Sequence, residues 1–259
     1  MAAANDWRIP LEETGNAPPR YSDIAIGYVR RNPQYRAAYQ HALQAVKRGR
    51  ISADDATAEL VRCWGISFHA DPASPYDPHL IVTRPDLSPE NVILGHAPPE
   101  AGRACPLDMH ALGPVRATMR LDACLHIILA DADGDVPLWL LDKPDCPLAM
   151  ILPLGADLAV SMAAAERMRR RLKGLRAGPL ALRPPPSCCR HHRMLLRTLD
   201  GRAAGASRRE LAAILIDVAV RGFNAAEWVE CRERKRIGRW LAEATELRDG
   251  GYIRLLRGG

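Results

Sequence analysis

The chain has 259 residues, of which 47% are hydrophobic and 25% are charged, and its formal net charge is +6. This composition indicates globular domains and excludes a disordered chain. No apolar run of about 18 residues occurs, so no membrane span is expected. The seven scattered cysteines are typical of free thiols in a reducing cytoplasm rather than of a disulfide framework.

The charge is divided unevenly along the chain. Residues 1–156 carry 14 Lys and Arg against 19 Asp and Glu, whereas residues 157–259 carry 22 against 11. All but two of those 22 cations are arginine, whose planar guanidinium suits phosphate groups and guanine edges. The basic part is therefore predicted to bind nucleic acid, and the mildly acidic part to bind protein.

Three helices are predicted between Ser22 and Gly65. A helix capped by Ser22 ends before Asn32-Pro33, a second covers residues 35–46, and a third begins after Ser52 and ends at Trp64-Gly65. Residues 66–118 are rich in proline, with short extended pieces at 80–82 and 92–94. This stretch is interpreted as an ordered loop or a linker.

The middle of the chain is predicted to form a small antiparallel sheet. Strands at residues 121–130 and 136–141 make a hairpin, and residues 148–153 form a third strand. The acidic turn at 131–135 superficially resembles a calcium loop, but it lacks the downstream glutamate, so a hairpin turn is preferred. A helix follows at residues 157–175, with Leu158, Met162, Met168 and Leu172 facing inward, before a stiff triple proline.

The last 73 residues are predicted to form a three-helix unit. A helix at residues 188–199 is followed by a short helix that opens with the capping box Ser207…Glu210. A non-helical connection at 218–224 leads to a long helix at 225–248, after which residues 252–256 could return as a short strand. This order follows the logic of a helix-turn-helix, although the connection exceeds the usual three or four residues.

The long final helix is predicted to have a core face and a basic face. Ile237, Trp240, Leu241, Ala244 and Leu247 fall on one arc at 100° per residue, and cations line the opposite side. Base-edge contacts are assigned to Arg232, Lys235, Arg236 and Arg239, and phosphate contacts to Arg190, Arg193, Arg202, Arg208 and Arg209. A merely solvated basic face is the alternative. Trp228 is interpreted as a core anchor.

No enzyme or cofactor motif is found. The run Cys188-Cys189-Arg190-His191-His192 is not predicted to bind metal, because adjacent ligands on one helix diverge and no second ligand pair completes a site. A nuclease or recombinase is disfavoured, since no carboxylate cluster in the basic region could hold Mg²⁺. We therefore expect a non-enzymatic protein without metal or cofactor.

Residues 196–212, 232–236 and 250–256 together resemble the extended-turn helix-turn-helix regulator family of proteobacterial integrative and conjugative elements. The segment 28–35, with Trp7 before it and Trp64-Gly65 after it, resembles the partner domain that often precedes this one. Relatives often have an aromatic residue in place of Arg208, so the chain departs from the family there.

The resemblance implies a two-domain transcriptional activator of excision and transfer genes. The basic C-terminal face would bind double-stranded promoter DNA, and its opposite face would dock on the N-terminal domain. Acidic stand-alone copies of the C-terminal domain would act as antiactivators. Tyr28, Arg30, Arg31 and Tyr35 are candidates for interdomain or partner contacts, RNA polymerase included, although the tyrosines equally suit a closed helical core.

The resulting expectation is an α+β, mostly α protein. It has an N-terminal helical domain with a Pro-rich connector (1–105) and a C-terminal domain with a small antiparallel sheet and an extended-turn helix-turn-helix unit (106–259). It is expected in the cytoplasm, associated with the nucleoid and not with a membrane. The competing hypothesis is an antiactivator that regulates such a protein without binding DNA, but the net charge of +11 on residues 157–259 favours DNA.

Overall fold

The computed structural model describes residues 7–9, 19–68, 71–72, 81–121 and 124–259. Their α-helices are α1 (Tyr21–Val29), α2 (Pro33–Lys47), α3 (Ala53–Trp64), α4 (Leu158–Leu172), α5 (Pro186–Ala203), α6 (Arg208–Leu215), α7 (Ala225–Glu230), α8 (Arg232–Glu246) and α9 (Tyr252–Leu256). Their strands are β1 (Ile66–Phe68), β2 (Ile81–Thr83), β3 (Val92–His96), β4 (Val115–Leu121), β5 (Cys124–Leu129), β6 (Val136–Leu140) and β7 (Leu148–Ile151). The α+β, mostly α class is confirmed.

The contacts divide the chain into two compact units. The first combines residues 1–33 with 184–255 and Gly259, and the second contains residues 34–183 with 256–258. The first unit is therefore built from both ends of the chain. The compact units do not coincide with the predicted domains 1–105 and 106–259. Those domains were defined by function, and they stay a prediction.

The N-terminal helices form close to where they were predicted. Helix α3 begins at Ser52, whose side chain accepts a hydrogen bond from the Asp55 amide at 3.0 Å, and ends at Gly65 with φ 72°, a left-handed conformation suited to glycine. Ser22 was predicted to cap this helix, but it lies inside α1. Asp23 accepts the backbone N–H of Arg20 at 2.8 Å and stabilises the start of α1 instead.

The second unit contains a five-stranded mixed sheet with the order β4-β5-β6-β3-β7. The predicted hairpin of β5 and β6 is antiparallel, with Ile127 opposite Leu138. The sheet differs from the predicted antiparallel one in that β3 pairs with β6 in parallel, Ile93 opposite Trp139. A separate two-stranded antiparallel sheet joins β1 and β2.

The loop or linker interpretation of residues 66–118 is wrong for β1 and for the part of β4 within that range, whereas β2 and β3 form where the extended pieces at 80–82 and 92–94 were predicted. β3 lies inside the larger sheet between β6 and β7, because its apolar residues pair on both sides. Proline lies between these strands, where no ladder hydrogen bond is lost. Leu80, predicted as extended, and Asp122 and Ala123, predicted as part of a strand, lie outside the described residues.

The alternation of side chains gives the larger sheet two buried faces. Val92, Leu94, Leu138 and Leu140 point to one face and pack with Met168 of α4. Trp139 and Leu121 face the other way and pack with Val82 of β2 and with Ala58 and Val61 of α3. The sheet is thus covered on both sides within this unit.

Helix α4 differs from its prediction in what it buries. Met168 is fully buried as expected, but Met162 and Leu172 are exposed. Arg167 and Arg171 are buried in their place. Arg171 donates to the carbonyls of Leu112 (2.7 Å), Ala130 (2.7 Å) and Pro114 (3.0 Å), and it pairs with Asp131 at 3.2 Å. Its guanidinium thus satisfies polar groups at the base of the acidic turn, which apolar residues could not do.

The C-terminal end of the chain is helical and not extended. The predicted strand at residues 252–256 is wrong, since α9 occupies this range. Gly250 has φ 145° and bends the helix between α8 and α9. Tyr252, Leu255 and Leu256 are buried, so the bend returns apolar side chains to the interior. Among the described helices, none combines the length and the apolarity needed to cross a membrane.

Replacing Arg171 by Met should destabilise the protein by about 3 kcal/mol, because a buried carboxylate and several carbonyls lose their donor. The matched control is Arg169→Met in the same helix, which breaks only the exposed pair with Glu166 at 2.5 Å and should cost under about 1 kcal/mol. Urea unfolding measures both values. Equal losses for the two variants would contradict the structural role given to Arg171.

Candidate nucleic-acid interface

The candidate interface is carried by three helices of the first unit. Helix α8 packs against α5 and α6. It buries Ile237, Trp240 and Ala244, and Leu195 of α5 and Leu211 of α6 are fully buried as well. The predicted core face of this helix is confirmed, except that Leu241 is only half-buried. Burial of one face turns the opposite face of α8 to solvent.

The predicted single helix at residues 225–248 is interrupted at Cys231. This residue has an extended backbone (φ −66°, ψ 148°), ends α7 and caps α8. Its Sγ accepts the Arg234 amide at 3.4 Å, and the Arg234 side chain returns to the Val229 carbonyl at 2.8 Å. Helix α7 has its own capping box, Asn224 with Glu227. The basic residues of α8 therefore begin at a helix N-terminus, where the backbone dipole favours anions.

The four cations assigned to base edges share one exposed face of α8. Arg232, Lys235, Arg236 and Arg239 follow the spacing i, i+3, i+4, i+7, and all four are exposed. Arg232 is 91% exposed although it pairs with Glu233 at 2.6 Å, and this pairing lowers the pKa of Glu233. Arg236 lies over the Trp240 ring at 4.8 Å. We call these four residues the α8 basic face.

The rest of α8 carries acidic residues. Glu243 Oε1 lies 2.8 Å from His191 Nε2 and accepts its proton when that nitrogen is protonated, and Glu246 pairs with Arg254 at 2.9 Å. Positive charge is therefore concentrated in the first half of α8. Recognition helices contact bases with their N-terminal residues, so this distribution suits a helix entering the major groove.

Arg209 has a structural contact that the sequence did not reveal. Its Nε donates to the Val220 carbonyl at 3.2 Å, and its Nη2 donates to the carbonyls of Arg221 (3.3 Å) and Phe223. One guanidinium thus ties α6 to the connection that precedes α7, which contains the 3-10 helix Val218–Gly222. The long connection of the predicted extended turn is an ordered segment held by Arg209 and by Asp217, which caps the 3-10 helix.

The other predicted phosphate contacts are spread over two places. Arg202 and Arg208 are exposed at the turn between α5 and α6, where Arg202 donates to the Ala206 carbonyl at 3.4 Å. Arg190 is exposed and Arg193 half-buried near the start of α5. The structure therefore groups Arg202 with Arg208, and Arg190 with Arg193, while the α8 basic face is a third group. Their contacts with DNA stay predictions.

Two of the predicted N-terminal contact residues lie against α5. The Tyr28 hydroxyl and His192 Nδ1 are 2.8 Å apart, and both side chains are buried. Arg31 makes a bidentate pair with Asp200, with both distances 2.6 Å. These contacts join the N-terminal helix to the C-terminal helices within the first unit. Their use by another protein stays a prediction.

The other two residues have different environments. Tyr35 belongs to the second unit and is fully buried, with its ring edge-on to Trp64 at a centroid distance of 5.4 Å. This placement favours the core interpretation of Tyr35. Arg30 is half-buried at the end of α1.

The sequence did not indicate the buried side chains of α5 that form hydrogen bonds with α1 and with Trp7. Arg197 is buried and donates to the carbonyls of Trp7 (2.9 Å) and Arg8 (3.0 Å). His192 is also buried, and burial is the main cause of its lowered pKa, with the charge of His191 adding to it. An arginine that bonds to distant carbonyls has the same sequence signal as an exposed one, so the sequence alone could not identify Arg197.

Comparison with known families agrees with this geometry. Residues 151–257 match a family model described as a T6SS transcription factor DNA-binding domain, and residues 6–69 match a proteobacterial transcriptional regulator-like domain. Residues 90–150 match a domain of unknown function, DUF7012. No curated protein matches the chain. The exposed basic helix and the two regulatory matches support a DNA-binding transcriptional regulator.

Within the described ranges, no group of three or more His, Cys, Asp or Glu side chains is placed to hold a metal ion. In the segment 188–192, neither Cys188 nor Cys189 forms a disulfide, and both histidines are bonded elsewhere, to Tyr28 and Glu243. None of the seven cysteines forms a disulfide.

Lowering the pH should destabilise the first unit through His192. Because its pKa lies below the ordinary value near 6.5, the folded protein binds this proton less readily than the unfolded chain does. The contribution to stability is complete above about pH 7 and is lost as the pH falls from about 6.5 toward the lowered pKa. Thermal unfolding at a series of pH values measures the decline.

His192→Gln cannot titrate and should flatten this pH dependence while lowering stability at neutral pH. His191→Gln, at the half-buried neighbouring position, is the control; it removes only the smaller cause of the lowered His192 pKa and should keep most of the decline. An unchanged pH profile in His192→Gln would contradict the assignment.

Replacing Arg209 by Lys should weaken the connection between α6 and α7. A single ammonium cannot reach the three carbonyls that the guanidinium contacts, so we expect a loss of about 1–2 kcal/mol in urea unfolding. Arg208→Lys, one residue earlier and exposed, should change stability by less than about 0.5 kcal/mol. A larger loss for Arg208→Lys than for Arg209→Lys would overturn this role.

Proposed function

We propose that this protein is a transcriptional activator that binds promoter DNA through the α8 basic face and switches on excision and transfer genes of an integrative and conjugative element. The observation that carries DNA binding is the exposed face of Arg232, Lys235, Arg236 and Arg239 on a helix whose other face is buried. The protein acts by binding and not by catalysis. It works in the cytoplasm, at the nucleoid.

The details of the α8 basic face favour base contacts over a merely solvated surface. Among the described residues, no carboxylate pairs with Lys235 or Arg239, so neither has a partner to give up on binding. The Trp240 ring restricts the Arg236 side chain, so less conformational entropy is lost when Arg236 is ordered on DNA. Bidentate contacts from such side chains to guanine discriminate between bases by about 1–3 kcal/mol each.

The activator role and the mobile element are supported by the resemblance of residues 28–35, 196–212, 232–236 and 250–256 to regulators of such elements. Activation requires a contact with the transcription machinery, and the N-terminal part is the proposed source of contacts with RNA polymerase or with an antiactivator. The competing role is that of an antiactivator without DNA binding. The exposed basic helix argues against it.

Arg239→Ala and Lys235→Ala should each reduce affinity for promoter DNA about 10- to 100-fold while the fold is retained, because both side chains are exposed. Arg232 is less suitable, since its loss leaves the buried Glu233 without its ion-pair partner. Gel shift at moderate salt measures the affinity. Arg254→Ala, which removes an exposed arginine of the same unit, should stay within about twofold.

The same variants test activation in a reporter fused to an excision-gene promoter of the element. The wild type and Arg254→Ala should raise expression, and Arg239→Ala should not. DNA binding without a rise in expression would contradict the activator role. Repression of a second activator by a wild type that binds no DNA would instead support the antiactivator.

A further inference from the structure

A second group of cations, three of them exposed and one half-buried, lies in the other compact unit, at the C-terminal end of α4 and in the segment that follows. It consists of Arg170, Lys173, Arg176 and Arg183, which we call the α4 cluster. Lys173, Arg176 and Arg183 are exposed, and the Arg176 side chain is 71% accessible. Residues 157–183 carry seven Lys and Arg against two Asp and Glu. None of these cations belongs to the unit that contains α8.

Contacts with the acidic turn hold the α4 cluster together. Arg170 Nε donates to the Arg176 carbonyl at 2.9 Å, and Arg176 pairs with Asp133. Arg183 Nη2 approaches the Asp133 carbonyl at 3.4 Å. Buried Arg167 fixes the same segment by donating to the carbonyls of Gly178 (2.9 Å) and Gly134 (2.5 Å). The cations are thus presented from an ordered surface and not from a free loop.

The carboxylates of the turn do not cancel this positive surface, because other groups already occupy them. Asp135 is buried and pairs with Arg116 at 2.8 Å, and the Asp131 side chain, which is 8% exposed, pairs with Arg171. Asp133 accepts the Gly178 amide at 3.1 Å as well as the Arg176 guanidinium. The positive charge of Lys173 and Arg183 therefore remains directed to solvent.

The span of the regulatory match bears on what this surface binds. The model described as a DNA-binding domain covers residues 151–257, and so includes α4 and the whole α4 cluster as well as α8. The segment 170–183 contains no aromatic residue that could anchor a protein interface, although Leu172 and Leu175 are exposed, and its arginine and lysine side chains are typical of phosphate contacts. DNA is therefore favoured over an acidic protein.

We propose that the α4 cluster is a second DNA-contacting surface, which binds phosphates of the same duplex whose bases the α8 basic face reads. This inference rests on the proposed DNA-binding function. The α4 cluster supplies affinity without sequence preference, whereas α8 supplies specificity. Each compact unit thus contributes its own contact with the duplex.

The test is the salt dependence of DNA binding by the full chain. Lys173→Gln/Arg183→Gln removes two charges whose side chains make at most one long hydrogen bond among the described residues. The matched control is Lys143→Gln/Arg103→Gln, which removes one lysine and one arginine from exposed positions elsewhere in the same unit. The probes are a duplex of about 40 base pairs selected by the wild type from a random library, and one of arbitrary sequence.

We expect the cluster variant to lower the slope of log Kobs against log salt by about 2, since each lost phosphate contact removes about 0.9. Affinity at 0.1 M salt should fall by roughly tenfold or more on both duplexes. The control should keep the wild-type slope. The charge-preserving variant Lys173→Arg/Arg183→Lys should keep it too, which separates loss of charge from loss of fold.

If the cluster variant has the same salt dependence of DNA binding as the control, the inference is wrong, and an acidic protein becomes the expected partner of this surface. Loss of binding in Arg239→Ala on the selected duplex would then still uphold the proposed function. If the wild type binds neither duplex, the proposed function and the inference both fail.

Discussion

Burial of Ile237, Trp240 and Ala244 between α8 and the helices α5 and α6 is the constraint on which the candidate interface depends. A helix that must bury one face has only one face left for a ligand, and in α8 that face is basic over its first half. The Cys231 break strengthens the effect, because it places a helix N-terminus beside Arg232. Packing and electrostatics therefore select the same surface.

The C-terminal helices do not form their unit alone. Helix α1 contributes Tyr28 to a buried hydrogen bond with His192 and Arg31 to a bidentate pair with Asp200. Close packing accompanies these bonds, since a Cβ added at Gly27 would lie 2.8 Å from Leu196. The two regulatory matches fall on opposite ends of the chain, and the structure brings parts of both into one compact unit.

Local signals in the sequence predicted local structure well. Ser52, the Ser207…Glu210 box and the 100° periodicity of residues 237–247 identified helix starts and a buried face, because each depends on neighbouring residues. The order of the strands in the larger sheet could not be predicted from local signals, because the parallel pairing of β3 with β6 joins segments more than 40 residues apart. The roles of Arg171, Arg197 and Arg209 also escaped prediction, since their partners are backbone carbonyls without a sequence signal. The exposed α8 basic face, by contrast, was predictable from spacing alone.

Because the first unit is built from both ends of the chain, it cannot be completed until the C-terminal helices have been synthesised. A ribosome makes α1 first and then the 150 residues of the inserted segment, 34–183, before it reaches α5. At typical rates this interval lasts about 8–30 s, during which the apolar side chains of Ile24, Ile26 and Tyr28 lack their native neighbours. The nascent second unit has time to fold in that interval. Assembly of the candidate interface is thereby postponed until the last helices emerge, so that a prematurely terminated chain carries no completed first unit.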